Sequence, residues 1–318
     1  MSVKNEIIFS AGGRIKEVLG LVDDGLFEEF NELRFRSKRP AFVKYRGKEY
    51  FLLNNGKLSS EGKNGDCFIP ESRDIKEFIR VLSGYSLYAF SEEIKNGYIT
   101  IEGGHRIGIT GRTVVKNNAI ESITSFCGIN IRISHEIKGC GEKIKKYIYE
   151  NGVCKNTVIV SPPGLGKTTL LRDIIRILSL EGKNVAVADE RGEIGGMWHG
   201  MCLNDVGPRT DVLDGCPKSE GMITLLRSMS PDIIAADEIG SDRDARAIET
   251  IMLGGVSVIC TIHGGGLDDV LNRTCIGQMG GKKFTRFIEL RRIENKTEAV
   301  VKNEKGNVIG TEVIRHDY

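Results

Sequence analysis

NTVIV (156–160), running directly into SPPGLGKTTLL (161–171), decides the fold. A short apolar run that reads as a buried strand enters a loop with two glycines, and the loop opens into the helical pattern KTTLLRDIIRILSL. Strand, glycine loop and helix together form the context in which a phosphate is cradled. Gly164 and Gly166 let backbone N–H groups turn inward, and the helix N-terminus adds the positive end of its dipole. Lys167 then reaches the β and γ oxygens, while the Thr168 hydroxyl ligates Mg2+. The pattern G-x-x-x-x-G-K-[ST] wants glycine first, where this chain has Ser161. A small residue is tolerated there, because Gly164, Gly166, Lys167 and Thr168 make the closest approaches. The expected cradle for ATP and Mg2+ is therefore Ser161, Pro162, Pro163, Gly164, Leu165, Gly166, Lys167, Thr168 and Thr169.

Three more apolar runs end in reactive side chains. DIIAADEIG (232–240) has the Walker B form, with Asp237 and Glu238 leaving the strand where an open α/β sheet presents its ligand crevice. One carboxylate can hold Mg2+ and the other can orient or deprotonate the attacking water; the spacing allows either assignment. VAVADERGEIG (185–195) ends in Asp189, Glu190 and Arg191, which read as an acid beside the phosphates or as a strand end with a surface ion pair. VICTIHGGG (258–266) ends in Thr261 and His263. A lone histidine is commonly structural, but at the end of a third core strand of one sheet a γ-phosphate sensor is the stronger reading.

The chain has 318 residues, about twice the usual domain, and two domains are expected. From about residue 141 strands alternate with helices, and the runs NVAVAD, DIIAAD and VSVICTI suit a parallel sheet buried on both faces. FTRFIELRRI (284–293), TEAVVK (297–302) and VIGTEVI (308–314) read as an antiparallel addition turning at Glu304 to Asn307. Upstream the pattern is α+β. ELRFR (32–36) precedes a hairpin turning at Arg46 and Gly47, DIKEFIRVLSG (74–84) is an amphipathic helix, and 97–115 and 119–134 form a meander. The boundaries are 1–138 for the α+β domain and 139–318 for the P-loop domain. Gly207, Arg209, Thr210 and Asp211 make a compact polar segment; Arg209 faces nucleotide or a subunit boundary, or the segment is a surface loop.

Net charge is +2, without the basic signature or aromatic platform of a nucleic-acid binder. The densest basic run, Arg34, Arg36, Lys38 and Arg39, alternates with Leu33 and Phe35 and reads as an edge strand with one solvated face. Eight cysteines without a C-x-x-C pair suggest reduced, structural thiols in a cytosolic chain. No apolar stretch is long enough to span a membrane, and Lys4, Glu6, Arg14, Lys16 and Glu17 interrupt a signal-peptide reading. Any membrane association is expected through a partner.

An acidic box, a Walker B and a histidine box, in that order after the P-loop, resemble the secretion and type IV pilus ATPases. The resemblance implies that Glu190 is the catalytic base, Glu238 serves Mg2+ and His263 senses the γ-phosphate. Asp237 stands where many of those enzymes have glycine, so Glu190 and Glu238 can divide the duty differently. LSGYSLYAFSEEIKNGYITIEGGHRIGITGR (82–112), INIRIS (129–134), DVGPRTDVLDGCPKSEGM (205–222) and RSMSPDIIAADEIG (227–240) further resemble the stage III sporulation AA family. That resemblance implies an α/β P-loop NTPase with a RecA/secretion-ATPase-like parallel sheet and a smaller α+β N-terminal domain. It would be a mother-cell cytoplasmic ATPase forming a homo-oligomer, a hexamer as in the secretion ATPases. It would act with a membrane-embedded channel protein of the sporulation complex. Arg106 and Arg132, in HRIGI and INIRIS, would approach the γ-phosphate from the domain interface. A nucleic-acid-dependent ATPase, a nucleotide-gated scaffold with negligible turnover and a small-molecule kinase are the alternatives.

Overall fold

The computed structural model describes residues 2–62, 66–84, 97–116, 118–134, 137–198, 200–273, 277, 283–294 and 296–316. Most of the family-like stretch around 85–96, together with Asn117 and Cys275, lies outside them. The chain divides into two compact units, Met1–His135 and Glu136–Tyr318.

The first unit opens with α1 (Val3–Phe9), α2 (Gly13–Gly20) and α3 (Asp24–Phe27). An antiparallel sheet comes next: β1 (Phe30–Arg36), β2 (Arg39–Tyr45), β3 (Lys48–Leu52), β4 (Leu58–Ser59), β5 (Tyr98–Ile101), β6 (His105–Lys116) and β7 (Ala119–Arg132), in spatial order β4-β3-β2-β1-β7-β6-β5. One face carries Leu33, Phe35, Val43, Ile107 and Ile131, all buried, under α4 (Ser72–Leu82). The β2–β3 hairpin turns at Arg46 (φ 47°) and Gly47 (φ 75°), the doubly left-handed turn that matches strand twist.

β1 is not an edge strand; it lies between β2 and β7. Alternation of apolar and charged residues reports only that one face is covered, and backbone pairing on both sides leaves that pattern unchanged. On its open face Arg34 Nε donates to Glu32 Oε1 at 2.6 Å. Arg132 stands directly opposite Glu32 on one side and Arg106 on the other, in one row across three strands.

The second unit is an eight-stranded sheet between two helical layers. After α5 (Glu142–Ile148) and a small ribbon of β8 (Tyr149–Glu150) and β9 (Val153–Cys154) come β10 (Thr157–Ser161), α6 (Lys167–Leu180) and β11 (Val185–Asp189). A second ribbon, β12 (Met197–Trp198) and β13 (Met201–Cys202), leads to β14 (Thr210–Asp214), α7 (Lys218–Ser228), β15 (Ile233–Ala236), α8 (Asp242–Leu253), β16 (Ser257–His263) and α9 (Leu267–Arg273). β17 (Arg286–Ile293), β18 (Lys296–Asn303) and β19 (Val308–His316) complete the order β14-β11-β15-β16-β10-β17-β18-β19. Ile174, Leu171 and Ile144 pack beneath one face, and Met222, Ile248 and Phe287 beneath the other.

Two features depart from the sequence reading. β17 pairs parallel with β10, so the antiparallel addition begins only at β18. The polar segment before Walker B is divided: Gly207 and Arg209 lie in a turn, with Arg209 exposed as in a surface loop, while Thr210 and Asp211 open β14, an edge strand parallel to β11. Arg209 lies at the N-terminal end of that strand, where its carbonyl accepts from Val185 N (2.9 Å) and its N–H donates to Ser179 Oγ (2.7 Å). Asp214, not Arg209, reaches the C-terminal edge with Asp189. Gly207 makes the preceding turn at φ 89°, and a Cβ there would come within 2.6 Å of Ser179 Cβ.

Because β17 completes the pairing of the P-loop strand, removing its largest buried side chain should be costly. Phe287→Ala is expected to lower urea-unfolding stability by about 3–5 kcal/mol. A loss below about 1 kcal/mol would mean that β17 is dispensable to this sheet.

Candidate nucleotide site

The sheet puts its chemistry at one edge by exclusion. β10, β11 and β15 are buried along their whole lengths, so charged side chains appear only at a strand's last residue, as Asp189 does on β11, or past the ends. From β10 the chain turns through Pro162, Pro163, Gly164 (φ 82°), Leu165 and Gly166 (φ 86°) into α6. Both glycines occupy the left-handed region, which glycine alone enters without penalty. Ser161 does not; it is buried at the end of β10 with ordinary φ, so this position makes no demand for glycine. Thr169 comes after Thr168 in the first turn of α6, half-buried.

Lys167 is buried at the start of α6, and its Nζ lies 3.1 Å from His263 Nδ1. His263 Nε2 lies 2.9 Å from Glu238 Oε1. One tautomer satisfies both contacts: Nε2–H donates to the carboxylate, and the Nδ1 lone pair accepts from the ammonium. Burial pushes the Lys167 ammonium below its ordinary value, against the pull of Asp237, Glu238 and Glu193. For Glu238, burial opposes the charge, but the His263 hydrogen bond and the charges of Arg191 and Lys167 prevail and hold its carboxyl below the usual range. Arg191 Nη1 meets Glu238 Oε2 at 2.5 Å.

Asp237 is fixed differently. The Thr168 hydroxyl donates to its Oδ2 at 2.5 Å, and Thr261, one strand over on β16, donates to Oδ1. Thr261 Oγ1 also accepts from Glu238 N at 2.8 Å. Thr168 therefore meets Asp237 and not Glu238, which separates the two Walker B acids by partner. A hydroxyl and a carboxylate in contact beside a glycine loop are hard oxygen donors of the kind Mg2+ takes, so the residues fit that ion.

Asp189 organises the acidic loop rather than facing ligand. Its carboxylate is 2% exposed and accepts from the backbone N–H groups of Glu193 (3.0 Å), Ile194 (3.0 Å) and Gly195 (2.8 Å). Glu190, the next residue, is thereby turned outward, with Lys218 Nζ 3.0 Å from its Oε2. Asp189, Glu190, Arg191, Glu193, Lys218, Asp237 and Glu238 together line a cavity of about 10 Å3, space for one water. Sequence reasoning missed Lys218. It starts α7 just after β14, and without that strand Pro217–Lys218 carried no sign of lying at the sheet edge. Arg106 and Arg132 belong to the first unit, where Arg106 lies 5.0 Å over the Tyr98 ring and Arg132 is exposed.

A buried parallel sheet with a glycine-turned lysine, a hydroxyl–aspartate pair and acids at neighbouring strand ends has the P-loop NTPase fold. Solved structures agree: the ATPase DotB of Legionella pneumophila superposes with a TM-score of 0.55 at 15% identity, covering 92% of this chain and 80% of that one. The pilus retraction motor PilT with bound ADP matches with a TM-score of 0.55 at 13% identity, over 90% and 80%. The chain belongs to the family described as sporulation stage III, protein AA, whose pattern matches residues 1–309. Stage III sporulation protein AA of Bacillus subtilis (strain 168) is 36% identical over 312 residues, 96% of this chain and 97% of that protein. An uncharacterized protein, ycf45 of Cyanidium caldarium, is 31% identical over 87% and 82%. Among the described residues, no helix is long and apolar enough to cross a membrane.

Burial raises the Asp189 carboxyl from 3.8 to about 6, outweighing its three backbone N–H donors. The native state then holds this proton more tightly than the unfolded chain does. The group's contribution to stability is fullest below about pH 4, is lost as pH rises to about 6 and is constant above that. The stability difference between wild type and Asp189→Asn should track this slope in urea titrations. A difference that does not change between about pH 4 and 7 would exclude a raised pKa.

Proposed function

We propose that this chain is the ATP-hydrolysing motor subunit of a secretion-like channel complex in sporulation. It works as a homo-oligomer, a hexamer, in the mother-cell cytoplasm and is held to the membrane by an embedded partner. The observation that carries the reading is the convergence of five acids, Glu190, Asp237 and Glu238 among them, on one water-sized cavity beside the Lys167 and Thr168 cradle. Residues 161–169 would hold the phosphates, with Lys167 meeting the β and γ oxygens. Thr168 and Asp237 would hold Mg2+, which when bound neutralises phosphate charge. Glu238, hydrogen-bonded to His263, and His263, which in turn meets Lys167, would register the γ-phosphate through that chain. This differs from the family pattern in giving the metal to Asp237.

Glu190 is the proposed base. It would accept a proton from the cavity water as the water oxygen attacks the γ-phosphorus and the bond to the bridging oxygen breaks, leaving ADP and phosphate. Its carboxylate is free of the Arg191 and His263 contacts that occupy Glu238.

Single-turnover phosphate release tests this. Lys167→Ala should lose ATP binding and hydrolysis; unchanged ATP affinity would defeat the cradle assignment. Glu190→Gln should keep ATP and Mg2+ binding while turnover falls by about 10² to 10⁴. Near-normal turnover in Glu190→Gln, with ATP trapped by Glu238→Gln, would move the base to Glu238.

Arg106 and Arg132 are proposed to act on a neighbour's nucleotide in the oligomer. Support comes from their direct cross-strand pairing, since two guanidiniums set opposite each other suit a shared anion. Arg106→Ala and Arg132→Ala should each lower turnover under oligomerising conditions, by up to about 10³. Wild-type rates in both would end that part of the proposal.

A further inference from the structure

Lys218 touches both halves of the candidate hydrolytic apparatus. Its side chain is only 12% exposed, unusual for a lysine whose partners include an exposed carboxylate. The ammonium donates to the Glu238 carbonyl oxygen at 2.7 Å and lies 3.0 Å from Glu190 Oε2. Those acceptors lie past the ends of two different strands, β15 and β11. Glu238 stands at φ 51°, a left-handed conformation unfavourable for a non-glycine residue, which persists where surroundings over-determine it. Its N–H is held by Thr261 and its carbonyl by Lys218, so the turn is pinned on both sides. Glu190 has no comparable support: Lys218 is its one ion-pair partner among the described residues.

We propose that Lys218 is a positioning residue for hydrolysis, bracing the Glu190 carboxylate and the Walker B turn against the water-sized cavity that all three line. The proposal rests on Glu190 being the base. An ammonium suits the task because its three N–H bonds diverge, so one can meet a carbonyl while another meets a carboxylate. It also sits on the first residue of α7, whose C-terminal end feeds β15, so one helix carries the brace and leads into the strand that it braces. Lys218 does not belong to the glycine loop, and nucleotide affinity should not depend on it. Without the brace Glu190 would swing on its three side-chain torsions, and a displacement of about 1 Å in a reacting group can cost about 10² in rate.

The test uses the full chain with Mg2+ and ATP, reading single-turnover phosphate release beside the dissociation constant of a fluorescent ATP analogue. Lys218→Met should lower the rate by about 10- to 100-fold with unchanged affinity, which also certifies the fold. Lys218→Arg should recover most of the loss. In the Glu190→Gln background Lys218→Met should cost much less than it does in wild type, because the carboxylate being positioned no longer acts as a base and only the brace on the Walker B turn is left to lose. A wild-type rate in Lys218→Met, an affinity loss that accounts for its defect, or a full additional loss on top of Glu190→Gln would each overturn the proposal. If active wild type is matched by Lys218→Met, the positioning role alone fails; absence of hydrolysis by wild type overturns it together with the motor reading.

Discussion

A sheet buried on both faces has no place for an unpaired charge along its strands. That single constraint arranges the second unit. The interiors of β10, β11 and β15 carry no charge, and ionic groups appear only at the last residue, as Asp189 does on β11, or in the turns beyond. Once there, the groups meet because parallel strands all end on the same side. Lys167, Asp237, Glu238, Glu190 and His263 come from sequence positions nearly a hundred residues apart, yet the register of four neighbouring strands delivers them to one edge.

Within that edge the acids are distinguished by their partners rather than by their type. Asp189 is spent on backbone N–H groups, and its burial leaves it a weak acid. Asp237 is clamped by threonines from α6 and β16. Glu238 is drawn to a guanidinium and an imidazole, and Glu190 to an ammonium. Four carboxylates therefore have four distinct electrostatic settings. Charge balance at such a site depends on all the cations together, since removing one leaves a partly buried carboxylate unmatched.

Much of this was legible in the chain. Apolar runs ending in acids predicted the parallel strands, and KTTLLRDIIRILSL predicted the helix that opens from the phosphate loop. What escaped reading was pairing. Nothing in FNELRFR says whether a second strand lies on its far side, because side chains report burial of a face and not the fate of backbone hydrogen bonds. TDVLD is half-buried with an acid near each end, so its composition imitates a loop. Missing that strand hid Lys218, which is positioned by it. Ser161 shows the converse: a departure from the expected glycine loses its meaning once its φ is known.

β17 pairs along β10, and about 125 residues separate the two strands in the chain. At a ribosomal rate of roughly 5–20 residues per second, the P-loop strand waits on the order of 6–25 seconds for that neighbour. Through this interval the β17 flank of β10, TVIVS, is an open and largely apolar strand edge, the kind that recruits other chains. The parallel closure is also a long-range contact, which slows folding. Synthesis of this protein thus has a vulnerable period that ends only when its final meander emerges. Chaperone demand should track that delay rather than the stability of the finished sheet.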